Sequence, residues 1–327
     1  MSLDPTVFLG RLDDDYSTSI REGLAFLGVE NRVKAGDTVF VKPNLTYPGF
    51  RQGVVTNPRC IEELIRALKD YSVKVIVGDS DGGGYNRFSM DEVFEKTGLA
   101  AMAKRYGVTL VNLSRLSSRS IRVECGSREL VVPLPEVLLD EVDLFITVPV
   151  PKVHSNTIIS VSIKNQWGCI QNPSLRLKLH PYFQEVIRAV NKALRVALAV
   201  VDGKYGLNRN GPLRGDPEPL NWVMAADNIA VADLLCARLM EIDGLAIRYL
   251  RFYCEKEGIT TLDRVRFNQD YHPFVGPRFD LKREFWDYPG YFAFRSPFLA
   301  YLAYHSPLSR ILHKALYLFR EKFYDHE

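Results

Sequence analysis

Scarcity narrows this chain of 327 residues before any motif does. Cysteine is rare: the five, at positions 60, 125, 169, 236 and 254, are odd in number, scattered, and never spaced C-x-x-C. A zinc ribbon or ferredoxin-type iron–sulfur cluster within the chain is therefore not expected, and reduced thiols are. No apolar run reaches the 18 residues of a membrane span, and Met-Ser-Leu-Asp-Pro-Thr at the start lacks the regions of a signal peptide. A cytoplasmic location is expected, with peripheral membrane contact left open. The formal net charge is only +3, so no nucleic-acid partner is expected. A hydrophobic share of 46% with 25% charged residues excludes wholesale disorder.

Short apolar runs alternate with segments of helical spacing. Strands are read at Val7–Leu9, Asp37–Val41, Val73–Val77, Val108–Val111, Leu144–Val148, Val196–Val201 and Trp222–Ala226. Helices are read at Ser17–Leu27, from Pro58 to Leu68, and at Met90–Tyr106, Tyr182–Leu194 and Ile229–Met240, the last capped by Asp227. That alternation predicts an α/β fold with a doubly wound, mostly parallel sheet. Ile121–Glu124 and Glu129–Val132, separated by Cys-Gly-Ser-Arg, predict an inserted β-hairpin. Gly206–Pro219 reads as a long polar loop of the kind that carries function. Composition shifts after about Asp263, where Tyr, Phe, Trp, Arg and Lys crowd together. Residues 1–262 are expected to form one α/β domain, of one lobe or of two meeting near 150–180, and 263–327 an aromatic-basic helical extension. Within it, Pro297–Tyr304 and Ser306–Phe323 predict two amphipathic helices, which either pack on the core or contact a membrane surface or partner.

Candidate chemistry gathers after the strand Leu144–Val148. Only six histidines occur, and two of them flank one lysine: His154, then Lys164 ten residues on, then His180 sixteen further. Ligands of open α/β sheets sit at the carboxyl ends of strands, where these residues would lie. Lys164, among Val161, Ile163 and Trp167, is expected to be desolvated and so a candidate nucleophile or Schiff-base former; the other reading has it reach solvent or pair with a carboxylate such as Asp79. His154 suits general acid–base work, or a structural hydrogen bond. His180 suits metal ligation, or a helix cap. Lys42 and Asn44 at a strand end suit recognition of anionic or carbonyl oxygen, with Lys42 also a catalytic candidate and Asn165 a binding one. Asp79 and Ser80, before Gly82-Gly83-Gly84, suit an anion nest or, through Asp79, a metal; Asp202 at another strand end suits ligand or cation binding. Cys169 is read as buried and inert, with a reactive thiol as the other reading.

Five motifs in order give the chain a resemblance: V-K-P-N-L (41–45), G-D-S (78–80), P-K-V-H with S-I-K-N-Q-W-G-C (151–169), V-V-D-G with G-P and G (200–215), and A-A-D-N-I-A-V-A-D (225–233). Together they resemble the domain-of-unknown-function 362 family over about residues 5 to 240. Many members carry an added ferredoxin-like module, whose cysteines this chain lacks. The His-Lys-His order is also similar to the site of nickel-pincer lactate racemases. That resemblance implies Lys164 anchoring a nicotinate-derived cofactor, His180 ligating nickel and His154 moving a proton. The glycine-rich sequence around the racemase lysine is absent here, and Val7–Asn112 contains no histidine to match a second catalytic one.

Two classes of function remain. The first is an enzyme, of isomerase or oxidoreductase type, moving a proton or hydride on a small anionic or hydroxylated substrate, with a divalent metal or lysine-linked organic cofactor as candidate helpers. The second is a non-catalytic accessory protein docking to a membrane surface or redox partner through its C-terminal tail.

Overall fold

The computed structural model describes residues 4–12, 15–83, 88–304, 306–316 and 318. The strands are β1 (Thr6–Arg11), β2 (Thr38–Pro43), β3 (Lys74–Asp79), β4 (Thr109–Asn112), β5 (Ser118–Cys125), β6 (Arg128–Pro135), β7 (Leu144–Val148), β8 (Lys152–His154), β9 (Ile158–Ser160), β10 (Val196–Asn208), β11 (Asp216–Ala226) and β12 (Arg266–Phe267). The main sheet runs β12-β1-β11-β10-β7-β2-β3-β4, with β8 added to β10 and β9 to β8. Along that path only β11 opposes its neighbours; every other pairing is parallel. The expected α/β class with a mostly parallel sheet is what the chain forms, and β5–β6 make the expected separate hairpin.

Both faces of the sheet are covered, which explains strands apolar at successive positions. Val7, Leu9, Phe40 and Phe145 belong to one core, with Ile187 and Leu235 of the helices Phe183–Ala193 and Ile229–Leu239. Their sequence neighbours Phe8, Val39, Val41 and Ile146 belong to the other, with Ile20 and Leu64 of Tyr16–Phe26 and Pro58–Lys69. The period of two along each strand assigns these residues to opposite layers.

Three local expectations are corrected. Gly206–Pro219 is mostly not loop: β10 and β11 extend through it as an antiparallel ribbon from Asn208 opposite Asp216, with a register shift between Gly203 and Tyr205. Long-range pairing outweighs the local glycine and proline signal there. The cap of the helix Ile229–Leu239 is Asn228, whose side chain accepts from Ala230 and Val231 N; Asp227 instead accepts from Thr6 N and Arg32. Met90–Tyr106 is two helices, Met90–Lys96 and Leu99–Tyr106, parted by Gly98 at φ 77°. At the C-terminus Pro297–Tyr304 is helical as expected; the second helix is Ser309–Leu316, and the expected stretch from 319 to 323 lies outside the described residues.

Candidate functional site

Two prolines, Pro149 and Pro151, stop the ladder of β7, so the chain leaves it and returns as the short β8 on β10. That detour puts Lys152, Val153 and His154, all buried, above the ends of β2 and β3. Lys42 lies at the end of β2 and Asp79 at the end of β3, and their side chains meet at 2.8 Å with Lys42 only 1% exposed. Lys42 Nζ also donates to Pro43 O at 2.8 Å, while Asp79 accepts from Leu45 N and Ser80 N. Gly168 packs directly over this pair: a Cβ there would stand 2.6 Å from Asp79 Oδ1 and 3.1 Å from Lys42 Nζ. Glycine is required at that position by close approach.

Lys152 Nζ donates to Val54 O at 2.6 Å and Asn44 Oδ1 at 3.3 Å, with no carboxylate bonded to it among the described residues. Burial, helped by the Lys42 charge, pushes it down to about 7. Lys164 sits on the short helix Ser162–Asn165, whose first amides are held by the buried carboxylate of Asp233. Among the described residues no acceptor lies within hydrogen-bond distance of Lys164 Nζ. Burial first, and the Lys152 charge second, drive its amine well below the ordinary lysine range.

Both histidines are held neutral, by burial above all and then by the charge of Lys164. His180 is pushed down to about 3, and His154 well below its ordinary value. Their tautomers follow from their partners. His154 Nδ1 faces the amide N–H of Asn156 at 3.1 Å and must accept, which leaves the proton on Nε2. His180 Nδ1 faces the carbonyl of Arg176 at 2.6 Å and must donate, which leaves a lone pair on Nε2. One imidazole therefore presents a donor and the other an acceptor.

These side chains line one cleft of about 350 Å³. Arg176 closes one wall, donating to Ser80 Oγ, to Ile170 O at 2.9 Å and to Asp81 O at 3.2 Å. The C-terminal extension forms the roof through Trp286, Asp287, Phe294 and Tyr304. Phe294 stacks on His180 with ring centroids 3.8 Å apart and planes 18° from parallel, and Tyr304 stacks on Phe294. Asn210 Nδ2 donates to Asp287 at 2.8 Å and Arg283 Nε to Ser155 O at 2.7 Å, fastening the roof to the loops beside His154. The indole N–H groups of Trp167 and Trp286 are buried without an acceptor among the described residues.

Of the residues singled out by sequence, Lys42, Asn44, Asp79, Ser80, His154, Lys164, Asn165 and His180 all line this cleft. Asp202 is not among its lining residues: its oxygens accept from Tyr16 Oη at 2.8 Å and Asn57 N at 2.7 Å, fixing the start of Pro58–Lys69. Asn165 Nδ2 is committed to Lys42 O and Thr147 Oγ1, so it braces the helix of Lys164 against β2 and β7. The carboxylate that could have paired with Lys164 pairs with Lys42 instead. Among the described residues no group of three or more His, Cys, Asp or Glu side chains converges as metal ligands would, and Asp79 is taken up by Lys42 and two amides. Gly84 of the glycine run lies outside the described residues. Cys169 is buried, and burial pushes its thiol up to about 12. Sequence reasoning places Lys152 with His154 in P-K-V-H and Arg176 beside His180 but assigns neither a part in binding or catalysis, and it misses the aromatic roof, for which no local pattern gives a signal.

The family model described as Domain of unknown function (DUF362) matches residues 39–238. A thylakoid-associated protein of Synechocystis sp. is 25% identical over 230 residues, covering 67% of this chain and 68% of its own. Two solved structures are similar in part. The lactate racemase apoprotein of Thermoanaerobacterium thermosaccharolyticum has a TM-score of 0.37 at 13% identity, over 61% of this chain and 50% of that one. A protein of Thermotoga maritima has a TM-score of 0.39 at 14% identity, over 76% and 60%. The present chain thus spans half to three fifths of those two chains.

Proposed function

We propose, for a chain that belongs to the DUF362 family, that the cleft is the active site of an enzyme acting on a small anionic or hydroxylated substrate. The observation that carries this reading is Lys164: a buried amine with no partner among the described residues, pushed toward its neutral form beside two neutral imidazoles. An amine so placed has a lone pair to offer a proton or a carbonyl carbon.

Electrostatics support an oxygen-rich anion. Lys42 and Asp79 offset one another, and Arg176 and Arg214 share the cleft with the carboxylates of Asp81 and Asp287, which leaves Lys152, bonded only to neutral acceptors among the described residues, as the cation without a bonded carboxylate. An anion would restore the balance and accept from the indole N–H groups of Trp167 and Trp286. A volume of about 350 Å³ suits a small molecule. With substrate oxygens on Lys152 and Arg176, Lys164 would take a proton from a carbon next to a carbonyl. His154 Nε2–H would donate to the developing oxyanion, and His180 Nε2 would accept a proton from a hydroxyl.

A lysine-linked organic cofactor fits the same residues, since Lys164 Nζ has no competing partner among those described and His180 Nε2 holds a lone pair. Bound there, such a group would supply an acceptor for hydride. The name of the Synechocystis relative, thylakoid-associated, favours a reaction carried out beside a membrane.

Incubation with small hydroxy- and oxo-carboxylates in D2O, followed by proton NMR, tests this reading. Deuterium should enter at the carbon beside the carbonyl with the native chain and not with Lys164→Ala of unchanged thermal midpoint. Exchange undiminished in that variant, or absent from the native chain with every such acid, would end it.

A further inference from the structure

The extension has a second face, and its character does not depend on how the cleft is read. The helices Tyr288–Ala293 and Pro297–Tyr304 bury Ala293 and Ala300 and turn Phe294 onto His180. On the other side Phe298 is 71% exposed and Tyr301 56%, and in the next helix Ile311 is 64% exposed. Leu308, Ile311 and Leu312 share the i, i+3, i+4 spacing of one helix face, and all three are exposed. Single exposed apolar residues are ordinary on any surface, but a run of them within one segment is not.

Charge in this segment has one sign. Residues 288–320 contain no Asp or Glu, whereas Arg295, Arg310, Lys314 and Arg320 are present. Arg310 and Lys314 are exposed on the helix that carries Ile311 and Leu312. Aromatic and aliphatic side chains beside cations, with no anion among them, match a partner that is apolar within and anionic at its boundary. A second copy of the same face would offer Arg310 and Lys314 only further cations and no carboxylate from within residues 288–320, which like charges oppose. No helix among the described residues is long and apolar enough to cross a membrane, so attachment would be at the surface.

We infer that the outer face of the helices Pro297–Tyr304 and Ser309–Leu316 docks onto an anionic lipid bilayer, with Phe298 and Ile311 entering the interface and Arg310 and Lys314 meeting the headgroups. Flotation of the full chain with phosphatidylcholine vesicles, with and without phosphatidylglycerol, tests this. The native chain should float with the anionic vesicles and be released by high salt. Arg310→Ala with Lys314→Ala should lower the partition coefficient roughly 30-fold, as loss of two surface cations at an anionic membrane implies. Phe298→Ser with Ile311→Ser should lower it by at least roughly tenfold. All four positions are exposed, so both variants should keep the native circular-dichroism spectrum and thermal midpoint. Absence of flotation by the native chain, or flotation unchanged in either folded variant, would overturn the inference. So would concentration-dependent self-association that Phe298→Ser with Ile311→Ser abolishes while no vesicle binds. Activity in the cleft is measured separately with soluble acids, so neither failure mimics the other.

Discussion

Asp233 accepts hydrogen bonds from the amides of Ser162 at 2.7 Å and Ile163 at 3.3 Å, so the turn bearing Lys164 begins on a fully buried carboxylate. Asp233→Ala would leave those buried amides without an acceptor and should cost roughly 1–3 kcal/mol or more in urea unfolding. Burial pushes the Asp233 carboxyl up to about 7, against the pull of the amides. Its folded value lies above the unfolded one, so the native state holds the proton more tightly. Its contribution is greatest at acid pH and is lost as pH rises from about 4 to 7. Subtracting the pH profile of Asp233→Asn from that of the native chain should isolate this slope.

Lys42 and Asp79 form the other buried electrostatic unit. Asp79→Asn strands a lysine that is 1% exposed and should destabilise by about 3–5 kcal/mol in urea unfolding. Lys42→Met combined with Asp79→Leu removes both charges and should cost less than Asp79→Asn alone. If the single substitution proves as mild as a surface change, the pair does not hold the ends of β2 and β3 together.

His180 works in the opposite pH direction from Asp233. Its folded value of about 3 lies below the unfolded value near 6.5, so the unfolded chain gains the proton first. Stability should fall as pH drops from about 6.5 toward 3, a loss that His180→Gln should reduce. Phe294→Ala should raise the His180 value, read from the imidazole proton shift by NMR, because removing the stacked ring lets water in.

Lys164 should declare itself by reactivity. At pH 7 an ordinary surface lysine is overwhelmingly protonated, whereas burial has moved Lys164 toward the free amine. Competitive acetylation with peptide mapping should label Lys164 ahead of the exposed Lys104 at neutral pH. The advantage should shrink as pH rises into the ordinary lysine range. Identical pH profiles at the two positions would show that Lys164 is an ordinary ammonium.

Much of the scaffold was legible because parallel strands buried on both faces are written as dense apolar runs such as Leu144–Val148. The hairpin β5–β6 was legible from its turn. The ribbon of β10 and β11 was not, since Gly206, Pro217 and Pro219 look locally like loop and only the partner strand shows otherwise. In the site, rarity exposed His154 and His180, and apolar neighbours exposed Lys164. Asp202 looked equivalent to Asp79 because both follow apolar runs, but Asp79 ends β3 whereas Asp202 lies within β10, its oxygens taken up by Tyr16 and Asn57. Arg176 resembles any cation on a short helix until its guanidinium is seen bonded to Ser80 and Ile170. Phe294 lies more than a hundred residues beyond the histidine it stacks on, a distance that no periodicity bridges.

The ring of Phe294 on the imidazole of His180 ties the far end of the chain to the proton affinity of its centre. Whatever tugs on the segment from 288 to 304 would wet that imidazole and return its basicity toward that of free histidine. A cut before Trp286, the obvious way to ask what the tail is for, would therefore also retune the imidazole of His180, and a silent truncated chain could not say which of the two had been lost.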